Sequence, residues 1–109
     1  MLIDQKISEL NLKPSDVMAE RKMGFHGPIK AGIIYGIRHN PTETTNGWYI
    51  WQGKKDDSPN FFQARHAAHI ISEHPNLAKY LMLPPGYGFL IDTTNGHEDI
   101  WFDKKFLVT

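Results

Sequence analysis

The chain has 109 residues, the size of one small domain, long enough to bury roughly 65% of the surface its unfolded form would expose. Twelve Lys and Arg balance twelve Asp and Glu, so no global field gathers nucleic acid or an anionic membrane by counterion release. With no Cys, disulfides, thiolate zinc sites and Cys nucleophiles are excluded.

The opening MLIDQKISEL sets Asp4, Gln5 and Glu9 among its apolar residues. No apolar run approaches the length of about 20 that spans a bilayer. It reads as neither signal peptide nor anchor, which predicts a cytoplasmic protein. Ile3, Ile7 and Leu10 share one helical face, and Pro14, Ser15 and Asp16 resemble a second helix start, so residues 1–25 are expected to form a helical extension of two short helices. A flexible junction at residues 23–28 separates it from one domain over residues 26–109.

From Ile29 to His39 the period changes to two: Ala31, Ile33, Tyr35, Ile37 and His39 point one way, Gly32, Ile34, Gly36 and Arg38 the other. The glycine face leaves room for a helix or an aromatic ring. A polar turn over residues 40–47 ends in Asn46-Gly47, which readily takes positive φ angles. The strand Trp48, Tyr49, Ile50, Trp51 carries large residues on both faces, so it is covered on both sides, or covered on one and used for binding on the other. After a charged loop, Asn60 and Gln63 resemble a capping box opening a helix that runs to about His74. Its core stripe is Phe61, Ala64, Ala67, Ala68 and Ile71, with Phe62, His66, His69 and Glu73 in another sector. A short helix from Leu77 to Met82 is stopped by Pro84 and Pro85. Tyr87, Phe89 and Ile91 then alternate with Gly88, Leu90 and Asp92, and a turn at Thr93–Gly96 leads to Ile100, Trp101 and Phe102 as a closing hairpin. Thr-Thr-Asn-Gly occurs at residues 44–47 and 93–96, which shared turn chemistry explains better than duplication. Phe106, Leu107 and Val108 complete a last short strand. The pattern is α+β: an antiparallel sheet of four to five strands, one main helix packed across it through Ala64, Ala67, Ala68 and Ile71, and the N-terminal helical extension.

Signals for chemistry are weak. His66, His69 and Glu73 share a helix sector and are valid ligand types for zinc or iron. Their spacing is i, i+3, however, not the zincin i, i+4, and a polar helix face that bonds nearby backbone explains them without a ligand. The sequence therefore leads us to expect no metal and no cofactor. His97, Glu98 and Asp99 follow the second Asn-Gly turn, where solvated carboxylates are common. Ser8, Ser15, Ser58 and Ser72 lie in no nucleophile elbow, and no Gly-rich loop opens a helix to cradle phosphate. Trp48, Tyr49, Trp51, Trp101, Phe61, Phe62, Tyr87 and Phe89 could stack bases, but the basic stripe of a single-strand binder is lacking. Core packing is expected to bury roughly three quarters of these rings, leaving the rest for a protein interface near Asp56 and Asp57.

The order of strings is nonetheless specific: Gly-Trp-Tyr-Ile-Trp-x-Gly at 47–53, Phe61-Phe62-Gln63, His66-x-x-His69, Tyr80-Leu81-x-Leu83-Pro84-Pro85-Gly86, Phe89-Leu90 and Glu98-Asp99-Ile100-Trp101-Phe102-Asp103. Over residues 29–107 the chain resembles the predicted bacterial immunity family numbered thirty-three, found in polymorphic toxin systems. Lys54 and Lys55 stand where that pattern carries an acidic residue, with Asp56 and Asp57 following. The resemblance implies a non-enzymatic inhibitor that binds a cognate toxin tightly, with no nucleic acid and no membrane as partner. Trp51, Asp56, Asp57, His66, His69, Glu73, His97, Glu98 and Asp99 are the residues expected on its binding surface. Two other readings stay open: a metal-dependent hydrolase using the His66-x-x-His69 face, and a ligand-sensing module with an apolar pocket between the glycine face of residues 31–39 and the helix.

Overall fold

A computed structural model describes Ser8 and residues 15–107 of the chain. Six strands form one mixed sheet: β1 (Lys22–His26), β2 (Ile33–Arg38), β3 (Thr45–Gln52), β4 (Gln63–His66), β5 (Tyr87–Asp92) and β6 (Glu98–Phe102). Their spatial order is β4-β1-β3-β2-β5-β6. One α-helix, α1 (Ala67–Glu73), and 3-10 turns at Pro75–Leu77, Tyr80–Met82 and Lys104–Leu107 complete the described elements. The α+β class stands.

The strands with strong period-two patterns form as expected. β2 pairs antiparallel with β3 and with β5, and β5 with β6, so that Gly36 faces Ile50 on one side and Phe89 on the other. The glycine face of β2 is the core face: Ile34 and Arg38 are buried, as are Trp48 and Ile50 of β3 and Phe89 and Ile91 of β5. A Cβ on Gly36 would stand 2.6 Å from Phe89 Cζ and 2.8 Å from Ile50 Cδ1. Two neighbouring side chains thus occupy the space the glycine leaves, where a ligand pocket was one of the readings. Leu77, Tyr80, Leu81 and Leu83 close over this core from the 3-10 turns, with Ala67 and Ile70 of α1 beside them. Each fully buried aliphatic or aromatic side chain contributes about 1.5–3 kcal/mol through removal from water.

Four expectations are corrected. The second helix expected from Pro14 does not form over residues 15–25; β1 occupies its end, with Met23 and Phe25 in the core, while the first expected helix lies outside the described residues apart from Ser8. β1 runs parallel to β3 and antiparallel to β4, which makes the sheet mixed and six-stranded. Residues 63–66 pair with β1 as strand β4 and do not open a helix, because cross-strand pairing outweighs a local helix preference in so short a segment. The helix starts only at Ala67, whose N–H donates to Arg21 O at 2.9 Å while that of Ala68 donates to Ala19 O at 2.9 Å. Two donors orphaned at a helix start are thereby satisfied by backbone brought alongside by β1. This late start shifts the phase: Ala67 and Ile70 are buried and Ile71 half-buried, whereas Ala64 and Ala68 are exposed. The C-terminal segment is a 3-10 turn over Lys104–Leu107, with no strand there.

The two Thr-Thr-Asn-Gly strings serve different ends. The second is the exposed turn of the β5–β6 hairpin, with Gly96 N–H donating to Asp92 O at 2.9 Å. The first runs into β3, where the register with β1 passes from Lys22↔Thr45 to Gly24↔Tyr49 and so marks a bulge. Gly47 has φ +90 there, and its Cα faces His39 O so closely that no side chain fits. Asn46 is fully buried, donating to Val17 O and accepting from Trp48 N–H.

Candidate functional site

The helix and the 3-10 turns at residues 75–77 and 80–82 cover one face of the sheet. Strand alternation sends the other residues to the opposite face: Gly24 and His26, Tyr49 and Trp51, Ile33, Tyr35 and Ile37, Gly88 and Leu90, Asp99 and Trp101. Among the described residues no α-helix lies over this side, and the 3-10 turn Lys104–Leu107 touches only its margin, where Phe106 meets His39 beside Tyr49. The tertiary register aligns it in rows, one running Trp51, Tyr35, Leu90, Asp99 and the next Tyr49, Ile37, Gly88, Trp101.

Two glycines set the texture of this face. A Cβ on Gly24 would lie 2.8 Å from Tyr49 Cε1, and one on Gly88 would lie 2.9 Å from Trp101 Cε2. Each ring therefore reclines on the strand beside it. Tyr35 and Trp51 stack at 5.4 Å with 16° between planes. Phe62 meets Tyr49 edge-on at 5.0 Å and Trp51 at 5.9 Å. Two histidines fasten flanking loops to the sheet: His26 Nδ1 donates to Phe61 O at 2.8 Å and stacks on that ring, and His39 Nδ1 donates to Phe106 O at 2.8 Å. Since a carbonyl can only accept, Nδ1 carries the proton in both.

Beside Tyr49 the loop at residues 55–59 overhangs β1 and encloses a cleft of about 450 Å³. Gly24 and Ala64 line it with Tyr49 and Phe62, and Lys22, Lys55, Asp56 and Asp57 bring charge to it. The Lys55 ammonium lies 6.0 Å from the Trp51 ring centroid, within reach of a cation–π attraction. Asp56 Oδ1 accepts from Ser58 N–H at 2.7 Å, which shapes the loop.

The residues expected on a binding surface divide among several places. Trp51, Asp56, Asp57 and Asp99 belong to the uncovered side and its cleft. His66 ends β4 at the far edge, its ring 5.4 Å from that of His69 in the first turn of α1. Glu73 sits at the end of α1, where both carboxylate oxygens accept from Arg65, Oε1 at 3.2 Å. That hydrogen bond holds its carboxyl below the usual glutamate range. Arg65 itself rests over the Phe25 ring at 5.4 Å. A third ligand for the histidine pair is thus committed elsewhere, and among the described residues no group of three or more His, Asp and Glu could hold a metal. His97 and Glu98 line a small concavity with Asn76 and Tyr80 on the helical side.

The rings depart from expectation. Of the eight singled out, Trp48 and Phe89 are buried; Trp51, Trp101, Phe61, Phe62 and Tyr87 are half-buried, and Tyr49 is 37% exposed. Helical cover from the described residues lies on one side of the sheet, which leaves the outer-face rings of β3 partly exposed. Tyr35, Leu90 and Phe62 belong to the site as much as Trp51 does; the alternation of β2 and β5 set Tyr35 and Leu90 on the faces opposite Ile34 and Phe89, and the structure shows those to be the core faces.

Sequence reading also left Arg38 without a role. It is fully buried, with Nε donating to Asn46 O at 3.0 Å, Nη1 to Leu83 O at 2.8 Å and Nη2 to Asp16 O at 2.9 Å. Burial lowers the guanidinium to about 10, a shift partly offset by Asp16, so it stays charged at neutral pH. Its parity with Ile34 and Gly36 was the available signal. Its partners are all backbone carbonyls, and it acts as a structural clamp.

No curated protein and no solved structure matches the chain. The family described as Imm33-like domain matches residues 4–103, a span that holds all six strands and α1. The chain belongs to the Imm33-like domain family.

Proposed function

We propose that this protein is a non-enzymatic immunity protein that neutralises a cognate toxin in the cytoplasm by binding it through the uncovered face of the sheet. The observation that carries the reading is the collection of half-buried rings on a side that no described α-helix covers. Aromatic side chains bring large contact area at low entropic cost, and such clusters dominate the energetics of protein interfaces. With extents of 36 × 32 × 26 Å, a broad side offers about 1,000 Å², above the roughly 800 Å² per partner of a standard interface. Family membership supports an immunity role, and the engagement of Glu73 by Arg65 weighs against a metal hydrolase built on His66 and His69. Trp51, Asp56, Asp57 and Asp99 retain the binding role given them from sequence, joined by Tyr35, Tyr49, Phe62 and Trp101.

The test is co-purification from the native host, followed by calorimetric titration against the product of the adjacent reading frame. A one-to-one complex with nanomolar Kd, about 12 kcal/mol, is the expected result. A chain that binds no neighbour and hydrolyses substrate with bound metal would overturn it.

A further inference from the structure

We infer that the uncovered face receives a cationic segment of its partner, an arginine- or lysine-bearing stretch laid across Trp51 and Tyr35, between Asp56 and Asp57 at one end and Asp99 at the other. The inference rests on the toxin-binding reading above and names the chemistry that surface selects.

The row Trp51, Tyr35, Leu90, Asp99 crosses four adjacent strands. At about 4.8 Å per strand it spans about 14 Å, the length of four extended residues. Beside it Tyr49 and Trp101 recline on the sheet, in the space over Gly24 and Gly88, while within it Tyr35 and Trp51 stack on each other. Reclining rings turn their faces outward, and the face of an aromatic ring carries the negative part of its quadrupole. A guanidinium or ammonium is the group such faces attract. The chain already supplies one: Lys55, on the loop above, holds its ammonium 6.0 Å from the Trp51 centroid. A tethered cation at that place marks the site's preference and acts as an internal competitor.

Charge at the ends agrees. Asp57 and Asp99 are exposed, with no hydrogen bond or ion pair to any described residue. Asp92, opposite Ile33, stays ionised because Thr94 donates to it from both N–H and hydroxyl. Lys22 and Lys55 lie at the cleft, and the His26 imidazole, paired with Trp51 in register, adjoins the row on β1; no Lys or Arg occupies a row position. Carboxylates at both ends repel phosphates, which disfavours a nucleic acid on the same rings.

Titration of the full chain with hexa-arginine, hexaglutamate and a uridine hexamer tests this, read through the three tryptophan indole N–H signals. Trp48 is the internal control: it is fully buried and donates to Leu81 O at 3.0 Å. Hexa-arginine should move Trp51 and Trp101 and leave Trp48 in place, and the other two probes should move none. Asp99→Asn should weaken hexa-arginine about threefold, and Lys55→Ala should strengthen it about threefold by removing the competitor. Unmoved Trp51 and Trp101, equal movement by the uridine hexamer, or unchanged affinity in both variants would overturn the inference. A tight toxin complex that leaves Trp51 and Asp99 outside the interface would overturn it too while sparing the toxin-binding reading; hexa-arginine at Trp51 without any protein partner would do the reverse.

Discussion

At Gly36 the core has already used the volume a side chain would need. Phe89 and Ile50 converge on it from the two flanking strands, so even a methyl group forces rings off their rotamers. Gly36→Ala should cost about 1–3 kcal/mol in urea denaturation; an unchanged midpoint would mean that Phe89 can swing aside. Arg38 raises the opposite problem, a charge held where water cannot reach. Its donors satisfy the carbonyls of Asp16, Asn46 and Leu83, so it joins the segment before β1, the β3 bulge and the end of the 3-10 turns. Arg38→Met fills similar volume but leaves those acceptors unpaired. The expected loss is about 3 kcal/mol or more, since each orphaned buried acceptor costs about 1–3 kcal/mol. A stable Arg38→Met protein would mean that water or rearranged backbone replaces the guanidinium.

At the scale of elements, β1 decides the architecture. It separates β4 from β3, its Met23 and Phe25 enter the core, and the backbone just before it caps α1. Phe25→Ala should cost about 3–5 kcal/mol, read as a shift in the denaturation midpoint; a loss below 1 kcal/mol would contradict a core role for β1. Five residues flanked by Gly27 and Pro28 give too short a pattern to recognise, whereas the long alternations of β2 and β3 and the Asn-Gly turn of the β5–β6 hairpin were legible locally. The link between β4 and α1 is the Arg65–Glu73 pair, and it gives the fold an acid-sensitive joint. Because Glu73 titrates below its ordinary value near 4.5 when folded, its contribution is complete above that value and fades as the pH falls through the lowered one. Glu73→Gln should therefore remove part of the acid sensitivity below about pH 4.5 and match the wild type once the wild-type Glu73 carboxyl is protonated. Parallel pH profiles over the whole range would show that the pair contributes nothing.

On the scale of the whole molecule, the sheet has two unlike sides, and binding should distinguish them. Trp51→Ala on the uncovered side should cost at least about 2 kcal/mol of partner affinity, roughly thirtyfold. Glu73→Ala at the end of α1 should change it by less than threefold, as calorimetry would report. The reverse ranking would move the interface to the helix side. By itself the sequence determined the α+β class, strands β2, β3, β5 and β6, the family, and the residue types available for recognition. These depend on period-two patterns, turn residues and ordered strings that act over a few neighbours. Only tertiary structure decided that residues 22–26 and 63–66 are strands, where α1 begins, and which of the rings remain half-exposed. Those outcomes depend on pairings between segments about forty residues apart, and on a helical layer that covers one face of the sheet. Local propensity carries no record of either.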